Sequence, residues 1–249
     1  MTRKTDHYSY TMYADPAMAR SFDDRRFGGP IGELIAATQA RIVANMIGRL
    51  HDRRILDVGT GTGRAALMLA RGGARVTAVD ASEDMLHVAR QRAADQFVSV
   101  EFVRGDAHLL QFEDRMFEIS VCLRVLMHAP DWTQCLGELC RVADRIVIFD
   151  YPSATSLAAI EAAGRRLKRA AGGRTEAYRV FRQTRIERAL RRSGFRVRSI
   201  HRQFVLPIQF HRIIGSRRFT EFSEGLLNRA GLLRLFGSPV TVCAERCES

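Results

Sequence analysis

The 249-residue chain has no apolar run near the roughly 18 residues that a membrane-spanning helix needs. Its first residues, Met1-Thr2-Arg3-Lys4-Thr5-Asp6-His7, lack the apolar core of a signal peptide, so a cytoplasmic protein is expected. The five cysteines make no paired C-x-x-C pattern, and no His/carboxylate cluster suggests a metal. Cys243 and Cys247 read as strand packing and a tail, in a reducing compartment. Disorder is excluded too, because 46% hydrophobic against 27% charged residues is enough apolar material for a core.

Acid is scarce in one region only. Residues 161–220 hold 17 Arg/Lys against three Glu, a balance of +14 that exceeds the net charge of +12, so the rest of the chain carries −2. A solvated surface, attraction to a membrane surface or anionic lipid-like substrate, and nucleic-acid contact all fit such a stretch. The few interleaved aromatics give phosphate attraction without base readout, which ranks nucleic acid last. A homo-oligomer stays open.

The stretch Arg54 to Ala66 (RILDVGTGTGRAA) organises the rest. It reads as a buried strand, a turn with Gly59, Gly61 and Gly63, and a helix start. Glycines allow close backbone approach, and the helix's free N–H groups favour an electron-rich ligand. Gly61-x-Gly63-x-x-Ala66 would pass as a dinucleotide fingerprint. Asp57 argues against that, since a carboxylate repels a pyrophosphate and suits a cationic amino group. The Asp-x-Gly-x-Gly-x-Gly pattern resembles motif I of class I S-adenosylmethionine (SAM)-dependent methyltransferases.

Further motifs extend the resemblance over residues 54–151. Strand 75–80 ends at Asp80, a carboxylate able to accept both ribose hydroxyls. Ser82 then caps a helix with Glu83 and Asp84 in its first turn. Asp80-Ala81-Ser82-x-x-Met85-Leu86 resembles motif II and its sequel, which implies that Met85 lies near the adenine. A third strand is expected at 98–103. The Gly105-Asp106-Ala107 after it resembles the family's adenine-binding element. Leu123 follows the fourth strand, 117–122. The resemblance thus implies a SAM site of Asp57, Gly59, Gly61, Gly63, Asp80, Ala81, Met85, Asp106, Ala107 and Leu123, with no metal.

After the fourth strand the chain reads Cys122-Leu123-Arg124-Val125, not the Asn/Asp-Pro-Pro-aromatic of many amino-directed methyltransferases or the Pro-Cys of cytosine-C5 enzymes. Arg124-Val125-Leu126-x-His128-x-x-Asp131 resembles small-molecule enzymes instead, including ubiquinone/menaquinone-biosynthesis types. The expected activity is methyl transfer to O or C of a small, apolar or quinone-like molecule. A tRNA/rRNA methyltransferase and a non-catalytic SAM-binding protein are the alternatives. His128, just past a strand end and able to titrate near neutrality, is the candidate base. Tyr13, Tyr151 and His211 are candidate substrate contacts.

The expected fold is α/β: a Rossmann-like, doubly wound seven-stranded sheet, order 3-2-1-4-5-7-6, with the last strand antiparallel and helical lid insertions. One methyltransferase domain, 1–249, is read in five parts. Residues 1–50 are an N-terminal helical segment (helix 31–50, with the aromatic stretch 8–27 as a lid), and 51–151 the SAM-binding core. Residues 152–182 and 207–236 are insertions roofing a substrate pocket, and 183–206 and 237–249 complete the sheet.

Overall fold

Alternating apolar residues in this chain build a sheet with two covered faces. In β5 (Ala143–Tyr151), Val147, Phe149 and Tyr151 point to one face, Ile146 and Ile148 to the other. A computed structural model describes residues 23, 26–159, 162–165 and 178–247. The strands are β1 (Arg54–Val58), β2 (Arg75–Asp80), β3 (Glu101–Arg104), β4 (Phe117–Cys122), β5, β6 (Phe195–Phe204) and β7 (Ser238–Arg246). Their order is β3-β2-β1-β4-β5-β7-β6, with β7 antiparallel to both neighbours and the other pairs parallel, as the sequence led us to expect. The order reverses at β1 and β4, so a crevice opens beyond their C-terminal ends.

Helices α1 (Gly29–Ile47), α2 (Arg64–Arg71) and α3 (Glu83–Asp95) belong to the first half of the chain. Helices α4 (Trp132–Val142) and α5 (Gln183–Arg192) follow, and α6 (Ile208–Ile214), α7 (Arg217–Arg229) and α8 (Leu232–Phe236) lie between β6 and β7. Val43, Ala66 and Leu69 pack on the face that carries Ile55, Val76 and Ile148. Leu136, Leu139, Ile186 and Leu190 pack on the face of Leu56, Phe149 and Phe195. Ser82 caps α3 by accepting from Met85 N at 3.2 Å, and Asp131 caps α4 by accepting from Thr133 N and Gln134 N.

Some boundaries differ from expectation for local reasons. Pro30 stands in the first turn of α1, where its missing N–H costs nothing, so the helix opens at Gly29 and not at 31. It closes at Ile47 and not at 50. The third strand begins at Glu101, not 98. Phe97 has φ +52° and Val98 N donates to Ala93 O, so these residues close α3 before pairing can begin. Ala143 both caps α4 and starts β5, so helix and strand join with no turn between them. β6 stops at Phe204 because the next two N–H groups, of Val205 and Leu206, donate to Glu224. Cys243 is buried in β7 and Cys247 is exposed, both as free thiols. Among the described residues, no helix is long and apolar enough to cross a membrane.

Leu139, fully buried between α4 and the sheet, tests this packing. Leu139→Ala should cost about 2–5 kcal/mol of unfolding free energy in a urea titration. A loss under 1 kcal/mol would mean that α4 is not seated as described.

Candidate functional site

The glycine turn is stitched to the end of the neighbouring strand. Gly59 N and Thr60 N both donate to Val79 O, at 2.8 and 3.0 Å. Gly59, Gly61 and Gly63 all have positive φ. They do different work. A Cβ on Gly59 would stand 2.2 Å from Val125 Cγ2, whereas one on Gly61 would meet nothing within 4 Å. Gly61 therefore faces an open cradle. Gly63 is the left-handed N-cap of α2, and a Cβ there would press on Ala89 at 3.0 Å, so it serves helix packing and does not line the cavity.

Around that cradle lies a cavity of about 180 Å³ lined by Asp57, Gly59, Gly61, Asp80, Ala81, Met85, Asp106, Ala107, Leu123 and His128. Ten of the eleven cofactor and catalytic candidates are thus brought together, Gly63 being the exception. Four carboxylates, Asp23, Asp57, Asp80 and Asp106, line one small space, and each is held by its own donors, Asp23 by Thr62 Oγ1 at 2.9 Å. Asp57 is buried and accepts from Thr60 Oγ1 at 2.7 Å and from the Ala66 backbone. Burial pushes its pKa up to about 6, against the pull of those bonds and of Arg64. Asp80 accepts from Gly61 N at 2.7 Å and Ser82 N at 2.9 Å, and burial raises its pKa above the usual carboxylate value. Asp106 Oδ1 takes both the backbone N–H of His108 (2.8 Å) and its ring Nδ1 (2.7 Å).

The cavity also holds residues that were not expected as site residues, although Asp23, Arg26 and Phe27 fall in the 8–27 stretch expected as a lid and Arg124 in the motif after the fourth strand. Asp23, Arg26 and Phe27 come from the N-terminal segment, and Arg64 lies with its guanidinium 3.9 Å from the centre of the Phe27 ring. The rest of the proposed aromatic lid, and Tyr13, fall outside the described residues. Burial, then the like charge of Arg124, lowers the Arg64 pKa to about 10. Arg124 has φ +63°, and its backbone N–H donates to the buried Asp150. Asp150 also accepts from Gln39 Nε2 of α1 at 3.1 Å, and Gln39 in turn accepts from Arg64. Arg64 and Arg124 stand directly beside motif positions, which was the available signal. Gln39 offered none.

A larger cavity of about 650 Å³ adjoins the first and shares Arg26, Arg124 and His128 with it. Its walls include Met127, Phe204, Leu206 and Ile208, together with Arg165, Arg212 and Asp150. Residues from both insertions line it, among them Leu157 and Tyr178 from 152–182 and Pro207 and Gln209 from 207–236. Two of the substrate candidates need correction. Tyr151 has the wrong strand parity: it is buried against Phe149 and Phe181 on the α4/α5 face, and its neighbour Asp150 reaches the cavity instead. His211 points into a buried polar knot, with Nε2 2.9 Å from Glu224 and Nδ1 3.0 Å from Thr220 Oγ1. Among the described residues, no three His, Cys, Asp or Glu are grouped to hold a metal ion.

Residues 55–145 match a family model described as a methyltransferase domain. A ubiquinone biosynthesis O-methyltransferase from Alkalilimnicola ehrlichii is 36% identical over 52% of this chain and 53% of its own length. A demethylmenaquinone methyltransferase from Deinococcus radiodurans is 37% identical over 42% and 45%. The chain spans about half the length of the curated relatives it matches. A crystal structure of magnesium protoporphyrin IX methyltransferase from Synechocystis PCC 6803 with bound SAH shares the fold. The TM-score is 0.66, at 22% identity over 95% of this chain and 99% of that one.

The raised pKa of Asp57 has a signed consequence for stability. The folded chain holds this proton more tightly than the unfolded one, so the Asp57 contribution worsens as pH climbs from 3.8 to about 6. Asp57→Asn should therefore raise the melting temperature at pH 7.5, and the difference should close near pH 4. A pH-independent difference between the two proteins would contradict the assignment.

Proposed function

We propose that this chain is a class I SAM-dependent methyltransferase that transfers a methyl group to O or C of a small, apolar or quinone-like molecule, a reading supported by the matched methyltransferase domain and the shared fold. The observation that carries this reading is the pair of joined cavities. One is lined by strand-end acids, the other is larger with apolar walls, and His128 belongs to both. The names of the curated relatives point the same way, towards ubiquinone and menaquinone chemistry.

The small cavity suits SAM better than a dinucleotide. Its four carboxylates would repel a pyrophosphate, and three of them, Asp57, Asp80 and Asp106, can serve an amino group, ribose hydroxyls and an adenine amine. The open side of Gly61 leaves room against the backbone. Met85 and Leu123 would add apolar contact. When bound, SAM supplies a methyl group on a positively charged sulfur.

The chain's own part in the reaction is alignment, exclusion of water and movement of one proton. An acceptor in the large cavity would meet apolar side chains, including Met127, Phe204 and Leu206, beside the arginines Arg165 and Arg212. His128 sits where the two cavities join, positioned to take the proton from an acceptor hydroxyl or activated carbon. Arg26 and Arg124 line the same junction and would stabilise the resulting oxyanion. Asp150 braces the backbone of Arg124 at its positive φ.

Single-turnover transfer of label from SAM to a panel of phenols and quinols, beside a lipid extract and RNA, tests the proposal. Label reaching only RNA, or no acceptor at all, would overturn it. Asp80→Ala should weaken SAM binding by about 1.5–3 kcal/mol in calorimetry, through the loss of charge-assisted hydrogen bonds. Unchanged affinity would remove Asp80 from the site. His128→Asn should slow transfer about 10²-fold or more while SAM binding persists. A near-normal rate would leave His128 a packing residue.

A further inference from the structure

Two of the three helices between β6 and β7, α6 and α7, are folded inside out. Along α7, Thr220 and Glu224, four residues apart, are buried, whereas Phe219, Phe222 and Leu226 share the exposed side at helical spacing. Phe222 is 73% exposed and Leu226 57%. α6 repeats the arrangement, with His211 buried and Ile213 84% exposed. The inward polar groups explain the inversion. Glu224 accepts from Val205 N, Leu206 N and His211 Nε2 at 2.8–2.9 Å, and His211 Nδ1 meets Thr220 Oγ1. This polar knot fastens the helices to the end of β6 and leaves their apolar sides to solvent. Phe210 and Phe219 touch edge to face across α6 and α7, with centroids 6.2 Å apart, so the two apolar sides are one surface. Leu235 of α8, 59% exposed, lies on the helix packed beside α7.

A surface helix normally presents its polar side to water, and apolar surface of this extent marks an interface. Its charge selects the partner. Arg217, Arg218, Arg229 and Arg234 of α7 and α8 are exposed, and the exposed acid on these helices is Glu221, paired with Arg217 at 2.8 Å. Aromatic and aliphatic side chains among arginines match a bilayer with anionic headgroups. The surface is also continuous with the large cavity. Ile208, Gln209 and Arg212 of α6 line that cavity, while Phe210 and Ile213 of the same helix face out.

We propose that α6, α7 and α8 form a docking face for an anionic lipid bilayer and set the mouth of the large cavity at the membrane surface. The docking rests on the surface alone. Delivery of an apolar acceptor from the bilayer rests on the methyl-transfer reading above.

Cosedimentation with vesicles of phosphatidylcholine, and of phosphatidylcholine with phosphatidylglycerol, tests the docking without any assay of activity. The full chain should bind the anionic vesicles and lose binding as salt rises. The double variant Ile213→Asp/Phe222→Asp should bind them about tenfold or more weakly, from the loss of two apolar contacts. The triple variant Arg218→Glu/Arg229→Glu/Arg234→Glu should bind them about 10²-fold more weakly. Melting temperatures and SAM affinities close to the unsubstituted chain would show that both variants fold. Binding equal for neutral and anionic vesicles, absent, or unchanged in both variants overturns the proposal. So does a dimer in sedimentation velocity that Phe222→Asp dissociates, because a second copy then covers the face. Intact SAM binding alongside a failed vesicle test would sink the docking and leave the methyltransferase reading standing.

Discussion

Carboxylates withdrawn from water at the C-terminal ends of three parallel strands are the constraint on which this structure turns. Asp57, Asp80 and Asp150 end or nearly end β1, β2 and β5, and burial raises the pKa of each. Such groups are tolerable only where donors meet them. The donors found are the backbone of Ala66, Gly61, Ser82 and Arg124, with Thr60 and Gln39 side chains. Satisfying the acids therefore fixes the glycine turn, the start of α2, the unusual backbone of Arg124 and the placement of α1. Cofactor cradle and fold are one hydrogen-bonded object.

Charge is divided between the two cavities with the same economy. The smaller gathers acids, offset by Arg26, Arg64 and Arg124. The larger takes arginines and apolar walls, with Asp150 between them. His128 is nine-tenths buried on the boundary, where a side chain can touch both occupants while water is kept from the space between. This division, more than any single residue, sets most of the acids on one side of His128 and most of the apolar wall on the other.

Much of the site was legible in the sequence because it is built from local signals. Glycines at positive φ, acids closing strands, and Ser82 and Asp131 capping helices each act through their own or neighbouring backbone, so linear spacing is enough to place them. The sheet order was legible on different grounds, through the resemblance of residues 54–151 to one class of enzyme.

What the chain could not disclose by itself depended on which of two faces a residue turns to. Asp150 and Tyr151 are neighbours, and one parity step sends the acid to the cavity and buries the tyrosine on the far side of the sheet. His211 looked like a pocket residue until the helix carrying it paired with Glu224, 13 positions later. The outward apolar side of α7 escaped notice because amphipathic spacing is the same for a helix facing a core or facing away from it. Periodicity is a property of the local chain, but the sign of a face is set by polar partners that only folding brings within 3 Å.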